Sequence, residues 1–323
     1  MPSLNRREFL VTSGSCAAHL ALAAAVAPRW LRDAWAAMPR GPVVATEPFA
    51  RLEQVADGVW ALVSTPLGHD YTTVSNGGII VGRNAVLAIE GFQTPKGAEW
   101  LAGKARELTG RWPTHVIVTH YHSDHANGVA GYFTGGNHSE IRATAITRDE
   151  AIARNKPADA DRTAALNDAV LLSPVDEADF DLGGRSVHLM PHLGHTDSDT
   201  AIEVGDASVL FCGDLFWNAM FPNYVDALPS KLAASVRALR TRAPKTYVPG
   251  HGNVGTPADF ERYVAMIDDV ERAARAAHAA GTSAADAAAA YRIPVSTGEW
   301  TLFGPTFIPR AFAAWYRELD ASH

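Results

Sequence analysis

The chain has 323 residues, 47% hydrophobic and 20% charged, with a formal net charge of −7. This is an ordinary globular composition, long enough for one large domain or two small ones. Residues 1–36 carry four Arg and two acidic residues; without them the balance is 24 basic against 33 acidic, or −9, and with no Lys/Arg run this argues against a nucleic-acid partner.

Residues 3–10 read Ser-Leu-Asn-Arg-Arg-Glu-Phe-Leu. Arg6-Arg7 followed by Phe9 and Leu10 resembles a twin-arginine export signal. An Ala-rich stretch follows over residues 11–26, interrupted by His19 and too short and too weakly apolar to span a membrane. Ala34-Trp35-Ala36 is the expected cleavage site, so residues 1–36 read as a signal peptide, 37–50 as a linker, and 51–323 as a catalytic domain with C-terminal helices. The expected localisation is periplasmic or secreted, with the twin-arginine machinery as a partner and no stable membrane insertion. Replacing Arg6 and Arg7 together by Lys should then hold the precursor in the cytoplasm on cell fractionation, because the pair is read by a receptor. Normal export of that variant would remove this expectation. Of the two cysteines, only Cys212 lies beyond this segment, so the mature chain can form no internal disulfide.

In chain order, residues 52–55 and 59–63 read as strands around the turn Asp57-Gly58. A polar loop over 64–75 contains His69 and Tyr71. Residues 79–81 and 86–89 continue a β-meander. Residues 95–108 read as a helix, with Thr94 as N-cap and Pro95 in its first turn. Val116-Ile117-Val118 is a short buried strand. Residues 141–146 read as a strand, 148–155 as a short helix, and 156–174 as a lid or a surface helix. Residues 186–190 form a strand that runs into Gly194-His195-Thr196. Residues 200–204 and 208–211 form a hairpin ending at Gly213-Asp214. A helix over 231–242 and a strand over 246–248 lead to Gly250-His251-Gly252. Thr256 caps a long helix from Pro257 to about Ala280, Ser283 caps another, and residues 311–319 form the last.

Chemistry concentrates after the strand at 116–118, where His120, His122, Asp124 and His125 fall within six residues. Alternation in extended chain puts His120, His122 and Asp124 on one side, and a turn at Ser123-Asp124 brings His125 round beside them. Imidazoles with a carboxylate suit a borderline-soft divalent ion, zinc first. His195, Asp214 and His251 each follow a later strand, so ligands from several strand ends would meet on one rim. Gly194, Gly213 and Gly250 each precede a ligand, where close backbone approach or positive φ is expected.

The order His-x-His-x-Asp-His, Gly-His-Thr, Gly-Asp, Gly-His-Gly resembles the metallo-β-lactamase superfamily, from about Leu52 to Gly255. The resemblance implies an α+β fold, a four-layer αβ/βα sandwich with the metals at one edge. It implies two zinc ions per chain, with iron as the alternative. His120, His122 and His195 would bind the first, Asp124, His125 and His251 the second, and Asp214 would bridge them. Asp124 and Asp214 are then the catalytic carboxylates. The lactamase branch carries Cys at the Asp214 position; a bridging Asp looks more like glyoxalase II and lactonases. Glu90 stands where many members have Asp and is expected to accept from a ligand histidine.

The activity so implied is hydrolysis of an ester, thioester, lactone or amide of a small molecule by a metal-bridging hydroxide. The alternatives are a mononuclear-iron persulfide dioxygenase, a β-lactamase, or an accessory protein of a periplasmic redox or sulfur-oxidation pathway. The sequence is silent on oligomeric state. His69, Tyr71 and His192 are weaker candidates for substrate contact. His115, His138, His188 and His278 read as structural or surface residues. Trp217, Phe221, Tyr224 and Trp300 fit either an apolar wall of the site or the core.

Overall fold

A computed structural model describes residues 39–65 and 70–321. The expected signal peptide and its cleavage site lie outside these residues, as does His69. Among the described residues thirteen strands fall into two sheets. The first holds eight strands in chain order: β1 (Val43–Glu47), β2 (Ala50–Ala56), β3 (Val59–Ser64), β4 (Gly77–Val81), β5 (Val86–Ile89), β6 (His115–Ile117), β7 (Glu140–Thr144) and β8 (Val170–Leu172). Its pairings are antiparallel from β1 to β5 and parallel from β5 to β8. The second has the order β13-β12-β11-β10-β9, made of β9 (Ala178–Asp181), β10 (Ser186–His192), β11 (Asp199–Val204), β12 (Val209–Phe211) and β13 (Thr246–Val248).

Strand periodicity of two builds the layers. Val59, Ala61, Val63, Leu87 and Ile89 of the first sheet pack with Val187, Leu189, Ile202, Val209 and Phe211 of the second in one core cluster. The sheets are therefore face to face. The intervening residues Leu62, Val86 and Ala88 point the other way, onto α1 (Pro95–Thr109), α3 (Ala145–Arg154) and α4 (Ala160–Asn167). Leu210 and Tyr247 likewise turn outward onto α5 (Pro229–Arg242), α6 (Pro257–Ala279), α7 (Ala284–Ala290) and α8 (Phe307–Asp320). The result is the expected helix–sheet–sheet–helix sandwich. Among the described residues no helix is long and apolar enough to cross a membrane.

Several boundaries differ from the sequence reading. The expected linker contains β1, which pairs antiparallel with β2, so the folded unit begins before residue 51. Its side chains are mostly exposed, and an edge strand with no buried face leaves no alternation to read. Thr94 starts α1 without capping it; its hydroxyl donates instead to Thr72 O at 3.0 Å. The strand expected to reach residue 146 stops at Thr144, whose hydroxyl accepts from Thr147 N at 3.0 Å and opens α3. Residues 156–174 hold both α4 and β8.

Candidate metal centre

Each expected ligand lies just beyond the C-terminal end of a strand. Beyond β6 the chain runs on irregularly to His122, whose own backbone is extended (φ −60°, ψ 151°), then forms a four-residue helix, α2 (Ser123–Ala126). This corrects the expected turn. Asp124 and His125 both ride on the helix, so Asp124 parts from His120 and His122 instead of lying beside them.

The seven side chains gather into two adjoining sets, His120, His122, His195 and Asp214 in one, and Asp124, His125 and His251 in the other. Within each set the ligand atoms lie within 4.8 Å of one another. In the first, His122 Nδ1 is 3.2 Å from His120 Nε2 and 2.9 Å from His195 Nε2, and Asp214 Oδ2 is 3.0 Å from His195 Nε2. In the second, His251 Nε2 is 3.3 Å from Asp124 Oδ2. Asp214 Oδ1 faces this set, 3.2 Å from His125 Nε2 and 3.3 Å from His251 Nε2. One carboxylate thus presents an oxygen to each set.

The donors fit a divalent ion. Asp214 Oδ1 and His125 Nε2 are buried and close, yet neither has a hydrogen-bond partner. Buried polar atoms rarely stay unpaired. Donor atoms gathered this closely, with no hydrogen bond to satisfy them, are the arrangement a cation would complete. The electrostatics agree. Burial opposes charge on Asp214, but His251, His125 and His195 hold its carboxyl well below the ordinary carboxylate range. Burial also opposes charge on His251, yet Asp214 and Asp124 push its imidazole up to about 9.

The outer contacts fix the rings. Thr119 Oγ1 donates to Glu90 Oε1 at 2.6 Å and lies 3.0 Å from His120 Nδ1, so it accepts from that ring. Glu90 Oε1 is also 3.0 Å from His125 Nδ1. The expected supporting role of Glu90 thus reaches one histidine directly and another through Thr119. Glu90 holds φ at 76°, a strained conformation for a residue with a Cβ. Asp199 accepts from Thr196 N at 3.0 Å and from Thr196 Oγ1 at 2.8 Å, pinning the turn that carries His195. Gly250 is required sterically, since a Cβ there would run into Asp214 Oδ1. Gly213 has φ 51° and approaches Thr119 Oγ1.

Three supporting residues are absent from the sequence reading. Asp226 Oδ2 lies 3.0 Å from His122 Nε2, and Arg154 pairs with Asp226 at 3.3 Å. Asn76 Nδ2 donates to Pro249 O at 2.9 Å and Gly252 O at 2.7 Å, holding the His251 turn against the first sheet. None belongs to a motif; the only signal for Asn76 was that a polar residue precedes a strand buried on both faces.

The ligands open on a cleft of about 540 Å³. Tyr71, a candidate for substrate contact, lines it with Trp217, Tyr121, Ser123, Arg154 and Phe303. His192 does not: it ends β10 opposite Asp199, and its partly buried ring is not among the lining side chains. Phe221 and Tyr224 are core residues, and Trp300 packs against the same core with its indole N–H donated to Thr297 Oγ1. Only Trp217 of that aromatic group reaches the cleft.

The fold and this site define a class, two face-to-face sheets with a histidine- and carboxylate-rich candidate metal centre at one rim. The sequence profile of the metallo-beta-lactamase superfamily matches residues 91–251, from just after β5 to the last ligand, and the chain belongs to that superfamily. It is 26% identical over 188 residues to a hydroxyacylglutathione hydrolase of Erythrobacter litoralis, covering 55% of this chain and 67% of that one. It is 29% identical over 147 residues to another of Rhodospirillum rubrum, covering 45% of this chain and 50% of that one. The solved structure of a metallo-beta-lactamase from Pontibacter korlensis superposes with a TM-score of 0.56 at 19% identity, over 68% of this chain and 99% of that one. At that identity the likeness is one of fold.

Proposed function

We propose that the chain is a zinc-dependent hydrolase that takes two ions and cleaves an ester, thioester or lactone, where an oxygen or sulfur leaves. The observation that carries this is the placement of the Asp214 oxygens, one toward each ligand set. A carboxylate can share itself between two ions, whereas a thiolate at that position is softer and serves one. Zinc held there would supply Lewis acidity and a water acidified toward neutral pH.

The chain's own residues supply the rest. Five imidazoles and two carboxylates would hold two divalent ions without cancelling their charge, and a net positive site would suit an oxyanion. Glu90 and Asp226 hold ligand rings and Asp199 holds the turn that carries His195, so that little reorganisation would accompany reaction. Trp217 and Phe303 shield the His251 side of the cleft from water. The hydroxyacylglutathione hydrolases among the relatives support the thioester member of this group by likeness.

The test is a chromogenic cephalosporin assayed beside an aryl ester, a thioester and a lactone. The expected result is weak or absent turnover of the cephalosporin and clear turnover of at least one acyl substrate. A kcat/KM on the cephalosporin of roughly 10⁴ M⁻¹s⁻¹ or more, within the ordinary enzyme range, with little on the others would overturn the substrate class. Oxygen consumption with a persulfide by an iron-loaded protein would replace hydrolysis with dioxygenation.

A further inference from the structure

Phe303 lies beyond the stretch matched by the superfamily profile, on the segment between α7 and α8. That segment is tied to the residues following Asp214. Thr301 N donates to Ala219 O at 2.9 Å, and Phe221 N donates to Thr301 O at 2.9 Å. The pairing carries Phe303 to the wall of the cleft. Its ring centroid lies 6.0 Å from that of His251 and 6.0 Å from that of Trp217, both nearly perpendicular. Trp217 lies 4.0 Å from His251. Phe307 backs the group, 6.2 Å from Trp217 and 6.3 Å from Phe303. Despite these three aromatic neighbours Phe303 remains 38% exposed. It is thus a part-exposed apolar side chain in the lining of the cleft.

The flank beside His122 is built differently. Arg154, Asn155 and Asp226 line it, and Arg154 is paired with both Asp226 and Glu150. An apolar group placed there would strip water from charged side chains, which is costly. Placed over Phe303, which Trp217 backs from the buried side, it would remove apolar surface from water, which is favourable.

We propose that Phe303 and Trp217 form a subsite, next to His251, for an aryl-sized apolar group adjoining the bond that is cleaved. Naming that bond rests on the hydrolase reading; the subsite itself does not. It also gives an orientation: the apolar part of the substrate lies on the side of Asp124, His125 and His251, and its polar part on the side of Arg154 and Asp226.

Calorimetry of the zinc-loaded full chain with phenylacetohydroxamate and acetohydroxamate tests this without turnover. The aryl probe should bind about tenfold more tightly, the scale expected for burying a part-exposed ring against it. Phe303→Ala should shrink the difference to within about twofold, and Phe303→Leu, which keeps apolar bulk, should retain most of it. Leu302→Ala should leave it unchanged, because Leu302 lines a separate apolar groove beside α7 and α8. Equal affinity of the two probes for the unsubstituted protein, failure of both to bind, or an unchanged difference in Phe303→Ala would overturn the proposal. The same proteins are assayed on phenylacetyl and acetyl esters and thioesters. A binding preference with no turnover of any of them removes the hydrolase reading and leaves the subsite; turnover with no binding preference does the reverse.

Discussion

His122 turns Nδ1 toward the other ligands, which leaves Nε2–H to donate to Asp226. The remaining ligand histidines all turn Nε2 inward, so Asp226 serves the one ring whose orientation differs. Its carboxyl is held below the ordinary range first by that hydrogen bond. Asp226→Asn removes the charge and half of the acceptor capacity. Metal affinity, measured by competition with a chromogenic chelator, should fall by about 10- to 100-fold, with kcat/KM falling alongside. Unchanged affinity would reduce Asp226 to a partner of Arg154. The gathering of the seven candidate ligands was legible in the sequence because they fall in dense motifs after apolar strands. Asp226 was not, since it stands twelve residues past Asp214 among ordinary loop residues, and only the folded chain brings it to His122. Glu90 was legible through its position at a strand end, although its strained φ was not.

Helix α6 shows how far local chemistry specifies an element. Thr256 Oγ1 accepts from Asp259 N at 3.2 Å, and Asp259 Oδ2 accepts from Thr256 N at 2.7 Å, a reciprocal capping box with Pro257 in the first turn. Its buried face carries Phe260, Tyr263, Val264, Ile267 and Val270 at helical spacing. Thr256→Ala should cost about 1 kcal/mol, lowering the calorimetric Tm of the folded chain by about 2–4 °C. A Tm that does not move would show that tertiary packing alone fixes the start of α6. Helical spacing located α1, although Thr94 does not cap it, and the Ser283 cap located α7; α5 was read from residue 231, two residues inside its start at Pro229. The same reading failed at α2, because four residues contain too little periodicity to mark a helix and both their carboxylate and imidazole had been accounted for as ligands. It failed again at β1 and β9, edge strands whose mostly exposed side chains carry no buried face.

Across the whole molecule, neither sheet can make the site alone. The first supplies His120, His122, Asp124, His125 and the supporting Glu90; the second supplies His195, Asp214 and His251. Thr200 N donates to Thr119 O at 2.9 Å and Asn76 N donates to Gly250 O at 2.8 Å, so backbone bonds join the two halves at the rim. The shared apolar layer holds the sheets in the register that lets Asp214 face both ligand sets. This architecture was readable from the alternation of strand residues and the order of the motifs. The C-terminal contribution to the cleft was not, because Phe303 sits in an irregular segment whose course depends on pairing with residues 219–221.

The central claim is that seven side chains hold two zinc ions with Asp214 between them, and elemental analysis of the zinc-loaded protein tests it most directly. The predicted result is two zinc per chain, reduced in His122→Ala and His195→Ala together with activity, and unchanged in His278→Ala, where the ring instead pairs with Asp320 on α8. One iron and no zinc per chain in protein offered both metals, or full zinc occupancy after His122 or His195 is removed, would contradict it.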